Sequence, residues 1–296
     1  MRIASNQYHA TMNSALQAAN TGLSQVMQQM ASGNRIQVPS DDTIATVRLA
    51  RLSREEAALD QYRDNIGALK SRLQTSEVTL DSMQEDMMMA RDLLVWAADG
   101  TNTAEDLQAM SASLATLRDS LFHAANSRNA EGRFLFSGTA TLTDTVLFDG
   151  TQPAGGRYAP GAGINTEAQL VAVGNEITVG GNVALDDIYD FLNQLDLVVA
   201  DLAAGTRIGS APLSDLDGAM NKITGFISEL GRRQNILQTL DDNHASVSLS
   251  NQQSALDLGT LDYAEASVRL NSYTLAVQAT QKAYAKVSNL SLFNVL

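Results

Sequence analysis

Three histidines, His9, His123 and His244, are the residues here that most readily suggest chemistry, and their spacing argues against it. A structural or catalytic zinc site draws its histidines in pairs three to five residues apart or from several cysteines. These three stand far apart and the chain has no cysteine. Asp-Asp pairs at 41–42, 186–187 and 241–242 could in principle act as paired acids. Each falls at or near a helix end or on a polar face, where carboxylates cap and solvate. No Gly-x-Ser-x-Gly, Walker loop or dinucleotide fingerprint occurs. Neither a catalytic residue, a metal ligand nor a cofactor site is therefore expected.

The charged residues speak instead about partners. The 296-residue chain carries a net charge of −13, the wrong sign for a protein that neutralises phosphates, so no nucleic-acid partner is expected. Residues 1–40 hold no Asp or Glu, only Arg2 and Arg35, and residues 266–296 hold only Arg269, Lys282 and Lys286. All 33 acids lie between Asp41 and Glu265, against 15 Lys and Arg, so the body carries −18 and the two ends +5. No run reaches the ~18 apolar residues of a membrane span. The polar face of the N-terminal helix bears Gln and Asn where a membrane-surface helix needs Lys and Arg. No membrane partner is expected. Met1–Ala10 lacks a basic stretch followed by an apolar core, so a cleaved secretion leader is not expected either.

The elements that carry these residues are mostly helical. Leu52, Leu59, Ile66, Leu73, Leu80, Met87 and Leu94 recur every seven residues, with Tyr62, Leu69, Met83, Ala90 and Ala97 beside them and Glu55 and Ser76 as the exceptions. This is a coiled-coil seam. It predicts a helix over about residues 43–98, capped by Ser40-Asp41-Asp42 and ended by Asp99-Gly100. At ~1.5 Å per residue it would be about 80 Å long, which implies a rod. A helix through Leu107, Met110, Leu114, Leu117, Leu121 and Ala124, with Asn102-Thr103 or Thr103 alone as cap, should fold back on it. Leu185–Leu202 and Leu216–His244 supply two more seams. In the Met87-Met88-Met89 run, one core residue flanked by two surface ones is expected, and Arg232-Arg233 reads as a solvated pair.

Residues 132–184 differ, with ten of the 20 glycines and two of the four prolines. Arg133–Phe136, Val146–Phe148, Gln169–Val173 and Glu176–Val179 read as short β runs, the last two joined as a hairpin at Gly174-Asn175. The chain thus divides into an N-terminal segment (1–40), a first rod half (41–131), a β-rich insert (132–184), a second rod half (185–262) and a C-terminal segment (263–296). The fold class is mainly α: an elongated antiparallel helical bundle with a small β-rich inserted domain.

The ends carry the candidate site. His9, Met12, Leu16, Ala19, Leu23, Val26 and Met30 form one stripe; Tyr263, Ala266, Leu270, Tyr273, Val277, Thr280, Tyr284 and Val287 form another. Both lie on uncharged polar helices, which are marginal alone because packing supplies most helix stability. The ends should therefore be disordered or loosely ordered in the monomer and fold against each other and against neighbouring molecules. Repeated buried like charge would oppose such packing, which accounts for the missing acids. Met12, Leu16, Leu23, Val26, Met30, Leu270, Tyr273, Val277, Tyr284 and Val287 are the candidate interface. Gly33, Arg35, Asp41 and Asp42 are the candidate turn and cap beside it.

Leu23-Ser24-Gln25-Val26 through Met30-Ala31-Ser32-Gly33-Asn34-Arg35-Ile36, then Ser40-Asp41-Asp42, resembles the N-terminal signature of the flagellin family, although Thr43-Ile44-Ala45 departs from its usual Ala-Ala-Gly. Gly132–Thr139, Arg232-Arg233-Gln234-Asn235 and Val287–Phe293 are similar to the hook-associated protein 3 branch of that family. The resemblance implies a structural subunit joining hook to filament, self-associated in a ring, with hook-associated protein 1 and flagellin as neighbours. It implies export without a cleaved leader through the flagellar type III apparatus, with a chaperone holding the C-terminal segment, and a place in the extracellular flagellum. Flagellin itself and a cytoplasmic coiled-coil adaptor are the alternatives.

Overall fold

A computed structural model describes the backbone of residues 2–293 and the side chains of residues 7–286. Six helices and four strands follow one another: α1 (Arg2–Ser32), α2 (Thr43–Ala97), α3 (Ala104–Ala125), β1 (Val146–Phe148), β2 (Tyr158–Pro160), β3 (Leu170–Gly174), β4 (Ile177–Gly180), α4 (Ile188–Ala203), α5 (Ala211–Gly259) and α6 (Tyr263–Phe293). The protein is mainly α with a small β region, as expected. Its residues fall into two compact units, residues 59–245 and residues 1–58 with 246–296. The helices α2 and α5 each contribute to both.

In the unit of residues 59–245 the heptad positions do what their spacing dictates. Leu59, Ile66, Leu73, Leu80, Met87 and Leu94 are buried, as are Leu69, Met83, Ala90 and Ala97. From Ile66 onward they share one core with Leu107, Leu114 and Leu121 of α3, Leu192, Leu195 and Leu202 of α4, and Leu216, Ile223, Leu230 and Leu237 of α5. Each such side chain contributes about 1.5–3 kcal/mol relative to exposure. Met87 is core while Met88 and Met89 face outward. Ser76, the polar interruption in the seam, is buried and donates to the Arg72 carbonyl one turn back (3.2 Å). Polar links along the flanks fix an antiparallel α2–α5 pairing: Arg63 to Asp241, Lys70 to Gln238, Gln234 to Glu77 and Arg91 to Asp217. As α2 numbers rise, α5 numbers fall. The short connection before α3 is closed by a capping box, in which Thr103 and Asp106 each bond the other's backbone N–H. That turns α3 back along α2, where Ser120 reaches Asp86.

The β region lies where glycine density placed it. β1 pairs antiparallel with β2, and β3 with β4. The β3–β4 hairpin turns at Gly174, Asn175 and Glu176, the last with φ 58°. Strands of three to five residues cannot bury a core of their own, and Val146, Tyr158, Val173 and Val179 pack into the helical core instead. Arg133–Phe136 is not a strand. Phe134, Leu135 and Phe136 are all buried, and the segment is held by isolated bridges, Arg128 with Phe134 and Ser137 with Ala184, and by a Phe134 N–H bond to the Thr141 carbonyl (2.9 Å), not by a ladder. A run buried on both faces lacks the alternation of a half-exposed strand, so its composition resembled a strand without its ladder. At Gly138 (φ +71°) a Cβ would lie 1.9 Å from the Asn165 carbonyl oxygen, so only glycine fits.

Side chains from the helices answer the outward main-chain groups of these strands. Asn126 donates to the Val146 carbonyl and accepts from its N–H (2.9 and 3.0 Å). Asn193 does the same for Tyr158 (2.7 and 2.9 Å). Asn65 donates to the Ala172 carbonyl, and the His244 ring bonds that of Val173 while stacking on Tyr62. Arg233 donates to the carbonyls of Gly180 and Asn182. The expected solvated pair is thus split. Both arginines bond Glu229, but Arg233 also ties β4 to α5.

Asp196 anchors a second attachment. It is fully buried on α4 and accepts from Arg118 of α3 (2.5 Å), from Arg157 (3.3 Å) and from the Gly155 N–H (3.1 Å). One carboxylate therefore joins two helices and the loop between β1 and β2.

Candidate functional site

The unit of residues 1–58 and 246–296 contains the candidate interface. The helix α1 ends because Gly33 enters the left-handed region at φ +72° while its N–H bonds the Gln29 carbonyl (2.9 Å). The chain then runs beside the turn that joins α5 to α6. Arg35 N–H donates to the Gly259 carbonyl (2.8 Å) and Leu261 N–H to that of Gly33 (3.0 Å). The Arg35 guanidinium reinforces this crossing with two bonds to Asp42 Oδ2 (3.1 Å each) and two to the Leu258 carbonyl (3.3 and 3.0 Å). Gln29, buried, donates to the Arg35 carbonyl (2.7 Å). Two stretches distant in sequence, residues 29–42 and 258–261, are thereby held at one point.

The acidic pair divides its labour. Asp42 is the α2 cap, with Oδ1 accepting from Ala45 N–H (2.9 Å). That backbone bond first, and the Arg35 guanidinium second, hold its carboxyl below the usual range. Asp41 folds the preceding turn, accepting from the N–H groups of Gln37 and Val38 and from the Gln25 side chain. At the other turn Asp262 caps α6 through Ala264 and Glu265 N–H. The Tyr263 hydroxyl donates back to the Met30 carbonyl (3.2 Å).

From this crossing α1 and α6 run antiparallel. Tyr263 meets Met30, Tyr273 lies on Gly22, and Tyr284 sits edge-on to His9 with ring centroids 5.4 Å apart. A Cβ on Gly22 would lie 2.6 Å from the Tyr273 ring, so the helices approach through a missing side chain. Of the candidate interface, the structure brings Val26, Met30, Leu270 and Tyr273 into one small cluster with Leu261 and Ala266. Met12, Leu16, Leu23 and Val277 are half-buried. Tyr284 is 42% exposed, and Val287 lies outside the described side chains. Gln29, Leu261 and the Leu258 carbonyl were missed. A buried Gln in a Gln-rich helix carries no distinguishing signal in sequence, and a carbonyl carries none at all.

Much apolar surface stays outside this cluster. Tyr8, Met27, Val268 and Leu275 face outward from α1 and α6, and Ile44, Val47, Leu249 and Leu256 from α2 and α5. No group of three or more His, Asp or Glu among the described residues is placed to hold a metal ion. No helix among them is long and apolar enough to cross a membrane. What this unit presents, among the described residues, is exposed apolar surface on all four of its helical segments.

Residues 3–141 match the family described as the bacterial flagellin N-terminal helical region. The chain is 26% identical to flagellar hook-associated protein 3 of Escherichia coli, over 90% of this chain and 91% of that protein. It is 24% identical to the protein of the same name from Salmonella typhimurium, over 100% and 99%. A solved structure assigned to the flagellar hook-associated proteins, from Vibrio parahaemolyticus, is 31% identical with a TM-score of 0.66, over 74% of this chain and 100% of that one.

Proposed function

Because the chain belongs to the flagellin family, where it is a structural subunit of the hook–filament junction of the hook-associated protein 3 type, we propose that it assembles through the paired helices α1 and α6. The carrying observation is an imbalance. Among the described residues, the core that these two 31-residue helices share with the turn before α6 consists of Val26, Leu261 and Ala266 with Met30, Leu270 and Tyr273 packed against it, while large apolar side chains remain outside it. Helices of that length, with few buried contacts and no acid in α1, gain stability when neighbouring molecules cover the remainder.

On this reading the candidate interface residues serve twice. Met12, Leu16, Leu23, Val26, Met30, Leu270, Tyr273 and Val277 join α1 to α6, and the pair then presents Tyr284 and its outward neighbours to adjacent subunits. Gly33, Arg35, Asp41 and Asp42 set the geometry at the base. The neighbours are hook-associated protein 1 on one side and flagellin on the other, with copies of this chain completing a ring. The chain leaves the cell through the flagellar export apparatus, with a chaperone guarding the C-terminal segment, and acts outside the cell. It catalyses nothing. Flagellin similarity is a relation of the family, and purified protein should fail to grow filaments from flagellin seeds.

Deleting residues 1–30 or 270–296 should leave residues 59–245 folded and abolish filament attachment. Motile cells with attached filaments, made from either truncated chain, would refute terminal docking.

A further inference from the structure

The two units differ sharply in charge. Residues 1–58 with 246–296 carry eight Lys and Arg against seven acids, a net +1; residues 59–245 carry twelve against twenty-six, a net −14. Within the near-neutral unit, one side of α2 is unlike the rest of the surface. Ile44 and Val47 are 68% and 67% exposed. Arg48, Arg51 and Arg54 are exposed beside them. Positions 44, 47, 48, 51 and 54 lie within about 120° of one another around the helix and so share a face, which also holds one exposed acid, Glu55. Among the described residues, none of the three guanidiniums is ion-paired, and Arg54 donates only to the Ala50 carbonyl of its own helix (3.2 Å). In the acidic unit nine of the twelve basic side chains have carboxylate partners: Arg63, Arg91, Arg118, Arg128, Arg133, Arg157, Lys222, Arg232 and Arg233.

We propose that this face of α2, Ile44–Val47–Arg48–Arg51–Arg54, docks on the acidic unit, residues 59–245, of a neighbouring copy of the chain. The inference rests on the junction reading above and names a contact within it. Charge complementarity selects the occupant. Copies packed side by side with like units in register would set one −14 unit against another, and the carboxylates that faced each other within a Debye length, about 8 Å in physiological salt, would repel. A stagger that sets the arginine face of one copy against the acidic unit of the next replaces that repulsion with attraction. All three cations are arginine, whose planar fork meets carboxylates with two parallel bonds. Ile44 and Val47 add the apolar area that an ionic contact alone lacks. The contact is heterologous, one surface against a different one, and such contacts generate rings or helices rather than closed dimers.

The chain has no cysteine, so one introduced thiol reports from one place. Flagella are isolated from cells making the full-length Arg51→Cys protein, labelled with a benzophenone maleimide and irradiated. The expected product is a dimer of the chain in which the label is joined to a peptide within residues 59–245 of the second copy. Dimers joined only through residues 1–58 or 246–296, crosslinks only to another flagellar protein, or no crosslink from labelled flagella would overturn the proposal. In parallel, Arg48→Glu/Arg51→Glu/Arg54→Glu should lower the number of attached filaments at least tenfold, while the corresponding triple Lys variant keeps most of them. Should the Glu variant fold and be exported yet attach filaments at the wild-type number, the arginine face has no docking role. The junction reading would survive that result; it falls only if cells lacking the chain altogether keep their filaments.

Discussion

Replacing Asp196 by alanine removes the single carboxylate that α3, α4 and the β1–β2 loop share. Asp196 is fully buried, and the Arg118 side chain that bonds it is 13% exposed. Deleting one member of a buried ion pair costs about 3–5 kcal/mol, because the remaining charge stays desolvated without its partner. Arg118 keeps a second carboxylate, Asp119, through two bonds of 3.0 and 2.7 Å on its exposed side. That retention places the expected loss at the lower end, about 3 kcal/mol. In a unit of residues 59–245, about 2–4 °C is lost per kcal/mol, so the calorimetric transition should fall by roughly 6–12 °C. Arg157, 35% exposed on the other side of Asp196, should matter far less, and its alanine variant should cost about 1 kcal/mol or less. Hydrogen exchange supplies an independent readout, since Gly155 N–H donates to Asp196 Oδ2 and should lose its protection in the Asp196→Ala protein. A transition lowered by less than about 2 °C, with Gly155 still protected, would refute the claim that this carboxylate anchors the loop.

Three further outcomes follow from the same structure. Gly22→Leu should evict the Tyr273 ring and forfeit about 1.5–3 kcal/mol of burial, raising amide exchange along α1 and α6 while the melting of residues 59–245 stays unchanged. Glu229 is held at about 2, against 4.5 unfolded, first by the Arg232 hydrogen bond and with help from Arg233. A depressed carboxyl stabilises the fold fully above 4.5 and ceases to do so as the pH falls through about 2; the gap in urea midpoint between wild type and Glu229→Gln should therefore narrow across that window. Leu80→Ala, in the middle of the α2 seam with no exposed surface, should cost about 2–5 kcal/mol by chemical denaturation.

The helical body was legible because period and burial coincide in it. A seven-residue repeat that never breaks can face only one way, and α2 spans Thr43–Ala97 where the pattern predicted 43–98. The apolar seam of α5 stops at His244, while the helix runs on to Gly259. Residues 245–259 are rich in Ser, Asn and Gln, and pairings absent from any local pattern hold them, such as Ser248 and Gln252 with Glu56 of α2. The candidate site was half legible for the same reason. The stripes on α1 and α6 could be seen, and Gly33 marked its own turn. The crossing that Arg35 locks depends on carbonyls at Gly259 and Leu258, more than two hundred residues away. Main-chain acceptors have no residue type, so no reading of composition could have found them.

The asparagines beside β1 and β2 have a consequence for life in a crowd. A two-stranded ribbon with bare flanks invites a third strand from whichever chain drifts past, and that hazard grows with local concentration. Asn126 and Asn193 present a peptide-like amide to each flank, occupying donor and acceptor together. Aspartate in either place could only accept, and would reopen one bond of each pair. At high local concentration the ribbon is thus kept from fusing with that of another chain, leaving any association to side-chain surfaces that discriminate between neighbours.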